Sequence, residues 1–192
     1  MMRRTILFLL PALVVPALVV YAGGEQEPSR VEERAGRVEQ TLKADVPRVL
    51  CVDERVTTGG QPVAGAFAKL AGLGFRAVLD MRTEAEGHDA ALARSQAEAA
   101  GLRYFNLPVE SAAPRPEQVD EFTRAVGDKR NHPLFVHCAS GNRVGAFWLI
   151  YRVIEDGWTL ERAQAEAERV GLRSESLKRF ALDYVAAHRK GN

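Results

Sequence analysis

Leu134-Phe135-Val136-His137-Cys138-Ala139-Ser140-Gly141-Asn142-Arg143-Val144-Gly145-Ala146-Phe147-Trp148-Leu149-Ile150 is the stretch from which the fold can be read. Leu134 to His137 is a short apolar run of the kind buried on both faces inside a parallel sheet. Val144 to Glu155 is a strongly apolar helix. Between them lies a tight loop with one glycine, Gly141, to turn it. A strand, a loop and a helix in this order make the loop open a helix, so its backbone N–H groups converge on one point with the helix dipole behind them. A cysteine at that point, Cys138, is favoured as the thiolate. Arg143 adds a planar fork that fits two oxygens of a phosphate or sulfate. The run Ala139, Ser140, Gly141, Asn142 and Arg143 is thus the expected oxyanion cradle, with Cys138 as nucleophile. His137 is expected to orient the loop by hydrogen bonding rather than to act as a base.

Outward from this loop, apolar strands and helices alternate. Strands are expected at Val49 to Val52, Val56 to Thr58, Phe75 to Met81 and Leu102 to Leu107. The turn Gly59-Gly60-Gln61-Pro62 precedes a helix opened by Pro62 and running to Leu70. Helices follow at His88 to Ala100, Pro116 to Val126, Thr159 to Val170 and Ser174 to His188. This alternation predicts an α/β fold of three layers, αβα, around a mainly parallel sheet of four to five strands.

The chain has 192 residues, with 26 Lys plus Arg against 25 Asp plus Glu, for a net charge of +1. That is one ordinary domain with an extension, and no bulk basic excess suits nucleic acid as the main partner. Met1-Met2-Arg3-Arg4 and the apolar run Thr5 to Ala22 have the pattern of a secretory signal, with a cut expected at Gly23. An uncleaved anchor is the alternative reading of residues 1–22. Residues 23–44 read as a polar tether with a loose helix from Val31 to Leu42, and residues 45–190 as the folded domain. The chain is therefore expected to be exported, to the periplasm or beyond, and to meet a membrane only through its first residues. Cys51 reads as a buried strand residue, with redox pairing to Cys138 as the alternative. His88, His132 and His188 are too scattered for a metal site. Trp148 and Trp158 read as core.

Spacing leaves the loop's chemistry open. Protein phosphatases that use cysteine carry five residues between Cys and Arg, then Ser or Thr; here there are four, and Val144 follows. Rhodanese sulfurtransferases use a loop of the shorter size. The flanks decide between them. Thr58-Gly59-Gly60-Gln61-Pro62, then Leu70-Ala71-Gly72-Leu73-Gly74-Phe75-Arg76-Ala77-Val78-Leu79-Asp80-Met81-Arg82, resembles the opening of the beta-lactamase-hydrolase-like phosphatase domains. Gly101-Leu102-Arg103-Tyr104, Leu107-Pro108-Val109 and Pro116-Glu117-Gln118-Val119 follow in that family's order. The family is a bacterial branch of the dual-specificity and protein tyrosine phosphatase-like superfamily and also carries the short loop.

The resemblance implies a phosphatase that forms a phosphocysteine on Cys138, with Arg143 and the loop amides on the phosphoryl oxygens and no metal or other cofactor. Its substrates would be a phosphorylated protein or a small phosphoester. The general acid expected from the resemblance is best matched by Glu110; Asp80 is the other candidate, though Asp80 and Arg82 read chiefly as structural. A sulfurtransferase, or a catalytically weak oxyanion-binding relative, remains the alternative on the loop alone.

Overall fold

The computed structural model describes residues 29–189. The expected signal or anchor, residues 1–22, and the first part of the expected tether lie outside the described residues. Five strands form one sheet: β1 (Leu50–Cys51), β2 (Val56–Gly59), β3 (Ala77–Asp80), β4 (Arg103–Asn106) and β5 (Leu134–His137). Their order is β1-β2-β5-β3-β4, with β1 antiparallel to β2 and every other pair parallel. This is the expected three-layer α/β architecture. β5 is central, paired to β2 on one side and β3 on the other, so the residue after it, Cys138, emerges in the middle of the sheet's C-terminal edge.

Strand residues alternate between two cores because successive side chains leave opposite faces. Ala77, Leu79, Leu134 and Val136 join α4 (Pro116–Gly127), α5 (Asn142–Ile154), α6 (Leu160–Val170) and α7 (Glu175–His188) on one face. Val78, Phe135 and Tyr104 join α1 (Arg30–Leu42), α2 (Ala66–Gly72) and α3 (Ala90–Ala99) on the other. Helix α5 is the only one of the seven described helices with an almost wholly buried sequence, Trp148 included, because it lies between the sheet and α6 and α7.

Two sequence expectations change here. Residues 30–44 are not a tether. Ser29 accepts the Glu32 N–H and the Glu32 carboxylate accepts the Ser29 N–H, a capping box that starts a firm helix. Val38 and Leu42 of that helix are fully buried against α2 and the sheet, so the folded unit begins before residue 45. The second helix starts at Ala66 rather than Pro62, because the preceding residues are tied elsewhere. The Gln61 N–H donates to the Ala139 carbonyl and the Val63 N–H to that of Asp45. Gly65, at φ +86°, then breaks continuity with the helix.

Both outer strands have a main-chain group engaged by a helix side chain. The Cys51 N–H of β1 donates to Glu39 of α1 at 2.8 Å, and the Tyr104 carbonyl of β4 accepts from Arg94 of α3 at 3.0 Å. Among the described residues no helix is long and apolar enough to cross a membrane.

Candidate active site

Cys138 follows β5 directly and is 1% exposed, while the next two residues, Ala139 and Ser140, are exposed. The sulfur accepts the Gly141 N–H at 3.1 Å. Gly141 has φ +87° and stands at the N-cap of α5. A Cβ there would lie 2.3 Å from the Val170 carbonyl oxygen, so no other residue fits without moving α6. Gly171 has the reciprocal constraint, with a built Cβ 2.8 Å from the Ser140 carbonyl oxygen. The amides of Ala139, Ser140, Asn142 and Arg143 have no backbone acceptor among the described residues, as the first donors of a helix must. The loop Cys138 to Arg143 is therefore a cradle of N–H groups under a sulfur.

Arg143 is 3% exposed and is gripped along one edge. Its Nη1 donates to the carbonyls of Met81 at 3.1 Å and Val109 at 2.9 Å, and to Glu86 at 2.5 Å; its Nη2 donates to the other Glu86 oxygen at 2.6 Å. No oxygen of a described residue accepts from Nε, so apart from the Cys138 sulfur beside the guanidinium the Nε and remaining Nη2 hydrogens form a free edge. Burial alone would lower the guanidinium pKa, but Glu86 and the Cys138 sulfur raise it above its ordinary value. Hydrogen bonding to Arg143 in turn holds the Glu86 carboxyl down at about 2, against burial and with help from Thr83.

Glu86 does not figure among the residues expected from sequence. Its signal is a capping box, Thr83-Glu84-Ala85-Glu86, placed directly after the C-terminal end of β3. The Asn142 N–H is one of the cradle amides, and its side chain is engaged outside the cradle. Its Oδ1 accepts the N–H groups of Arg173 at 2.6 Å and Ser174 at 2.9 Å, joining the cysteine loop to the start of α7. Gln61, through its N–H to Ala139, fixes the loop from the β2 side.

Behind the loop lies a buried polar cluster on Asp80. Its carboxylate accepts Nε and Nη2 of Arg82 and the Tyr104 hydroxyl, and lies 3.3 Å from His88 Nε2 and 3.5 Å from His137 Nε2. Burial would raise the Asp80 pKa; the neighbouring His137 and Arg82 hold it at about 2. Asp80 is thus fully buried, with its carboxylate taken up by Arg82 and Tyr104. His137 is also fully buried, and burial pushes its pKa down to about 4 in spite of Asp80. Neither ring nitrogen has a hydrogen-bond partner among the described residues, so the expected orienting hydrogen bond is not formed. The ring instead stacks on Phe135 at 5.4 Å between centroids.

Glu110 is exposed on the loop after β4, and its neighbour Val109 supplies one of the carbonyls that hold Arg143. Cys51 is free; it sits on β1 opposite Thr57, which pairs with Phe135 on the next strand but one. Two strand spacings and three residues separate it from Cys138, on the order of 10 Å in each direction, too far for a disulfide. Val144 is wholly buried in the core.

The family described as DSP-PTPase phosphatase fused to NAD+ kinase matches residues 36–182. The beta-lactamase hydrolase-like protein of Xylella fastidiosa is 32% identical over 125 residues, covering 62% of this chain and 28% of that protein. The dual specificity protein phosphatase TpbA of Pseudomonas aeruginosa is 32% identical over 88 residues, 45% of this chain and 40% of that one. This chain thus spans well under half the length of these relatives. Among solved structures, a DUF442 protein from Shewanella putrefaciens superimposes with a TM-score of 0.66 at 17% identity, covering 78% of this chain and 98% of that one. Pseudomonas aeruginosa TpbA does so with a TM-score of 0.59 at 24% identity, covering 73% and 84%. The sheet order, the cysteine loop and a match over more than three quarters of the sequence together lead to one statement: this chain belongs to the DSP-PTPase phosphatase family, within the protein tyrosine phosphatase-like superfamily.

Proposed function

We propose that the chain is a cysteine-dependent phosphatase that hydrolyses a phosphoester through a phosphocysteine. The observation that carries this reading is the free Nε and Nη2 edge of Arg143, held by Glu86, Met81 and Val109 beside the Cys138 sulfur. Glu86 and the two carbonyls fix the fork before substrate arrives, so little reorganisation is left for the reaction. The Cys138 thiolate attacks phosphorus, the P–O bond to the leaving group breaks, and the loop amides with Arg143 take the charge on the non-bridging oxygens.

Glu110 is the proposed acid. It gives its proton to the leaving oxygen, then as carboxylate takes one from the water that attacks the phosphocysteine, returning the thiolate and releasing phosphate. Its place one residue beyond an Arg143 ligand supports this role. The substrate is a phosphorylated protein side chain or a small phosphoester. One structural neighbour, Pseudomonas aeruginosa TpbA, has been crystallised with phosphotyrosine, and another is the PP-IP phosphatase SIW14 of Saccharomyces cerevisiae. Residues 1–22 support export, with the enzyme acting beyond the inner membrane.

Release of phosphate from an aryl phosphate, blocked by vanadate and abolished in Cys138→Ser, is the expected result. No turnover on a broad phosphoester panel, or a persulfide on Cys138 after thiosulfate treatment, would overturn the assignment.

A further inference from the structure

A cleft of about 240 Å³ opens beside the cysteine loop, between the β2–α2 turn, the segment after β3 and helix α3. None of Cys138 to Arg143 lines it, yet both of its walls are attached to that loop. Gln61, on one wall, donates its N–H to Ala139, and Gly87, on the other, directly follows the Arg143 ligand Glu86. Three large apolar side chains are exposed among the described residues, and two of them, Val63 at 51% and Leu92 at 54%, line this cleft together with Phe67. These side chains give the cleft an apolar part within an otherwise mixed lining.

Arg82 also lines the cleft. Its side chain is nine-tenths buried, with Nε and Nη2 on Asp80, but no described residue accepts from Nη1. Asp80 neutralises the Arg82 charge, and the Asp89 carboxylate borders the same space. A second anionic group on the substrate would be poorly received there. A neutral carbonyl oxygen beside an apolar side chain matches Nη1 and the Val63, Phe67 and Leu92 walls together. That combination is what a peptide presents.

We infer that this cleft binds an aliphatic side chain, with its adjoining peptide carbonyl, in a protein substrate whose phosphorylated residue occupies the Cys138 loop. The inference rests on the phosphatase reading for the phosphate and adds the substrate class. The cleft wall at Gln61 bonds directly to Ala139 of the cysteine loop, so the side chain belongs close in sequence to the phosphorylated residue.

The test is binding of phosphotyrosine peptides to the full chain carrying Cys138→Ser, with Leu or Asp placed in turn at each of the flanking positions. Leu is expected to be favoured over Asp at one position by about tenfold or more, the yield of burying such a side chain. Leu92→Lys and Val63→Lys, each checked by thermal melting to be folded, are expected to reduce that ratio to near unity. A ratio near unity at every position, a ratio unchanged in both variants, or no phosphopeptide binding would each overturn the inference. Turnover of para-nitrophenyl phosphate by the unaltered chain reads the phosphatase assignment separately. Turnover without a Leu preference removes the cleft proposal alone; a Leu preference with no turnover of this ester or of the broad phosphoester panel upholds the cleft and removes the phosphatase reading.

Discussion

Arg143 is held on one edge and open on the other, and Glu86 makes that asymmetry. Replacing Glu86 by Gln keeps the shape but removes the charge that fixes the fork. The expected outcome is a fall in kcat/KM of about tenfold or more on aryl phosphates, measured at neutral pH in a protein that still melts cooperatively. With its carboxyl held at about 2, Glu86 is ionised across the working range, so an acid limb in the pH–rate profile belongs to another group. Val144 gives a second expectation. Where cysteine phosphatases with five residues between Cys and Arg carry Ser or Thr, this chain has a buried valine, and on the proposed mechanism no hydroxyl stands there to help the thiolate depart. Breakdown of phosphocysteine should therefore be slow relative to its formation, visible as a burst of aryl alcohol before steady turnover. Cys138, Arg143 and the loop between them are legible in sequence because one short run supplies both the thiol and the guanidinium. Glu86 is not, because its partner lies 57 residues away and only folding joins them.

The elements themselves follow local patterning closely where one face or both faces are buried. Leu134 to His137 is found as expected because β5, enclosed on both faces and both edges, opens with three buried apolar residues, Leu134, Phe135 and Val136. Helix α1 is understated by its sequence, since half its residues are charged and Val31, Ala35, Val38 and Leu42 form only a narrow stripe. The loop is held by contacts between elements. Asn142→Ala removes the acceptor for two N–H groups at the start of α7 and is expected to cost about 1–3 kcal/mol. Gly141→Ala meets both the left-handed backbone and the Val170 carbonyl; loss of activity together with a lower melting temperature is the expected outcome.

For the whole molecule, the buried cluster behind Cys138 contributes to the response to acid, alongside Glu86. His137 is held near 4 against an ordinary value of 6.5, so between those values the unfolded chain binds the extra proton. Its contribution is full above 6.5 and declines as pH falls toward 4. Asp80 is held at about 2 against an ordinary 3.8, so its contribution is full above 3.8 and is lost as pH falls through 2. The melting temperature should thus fall in two stages on acidification, and His137→Gln should flatten the upper one, as read by circular dichroism at a series of pH values. The same whole-molecule view places the domain's true beginning. A chain started at residue 45 loses the Val38 and Leu42 side chains from one core; Leu42→Ala alone is expected to cost about 2–5 kcal/mol.

The charged side chains at the two outer strands have a consequence outside the single molecule. Glu39 occupies a donor that β1 would otherwise offer, and Arg94 occupies an acceptor on β4. A second chain approaching either border to extend the sheet would have to displace an ionised group before making its first bond. The fold thus carries protection of opposite sign at its two ends against fibril growth by strand addition.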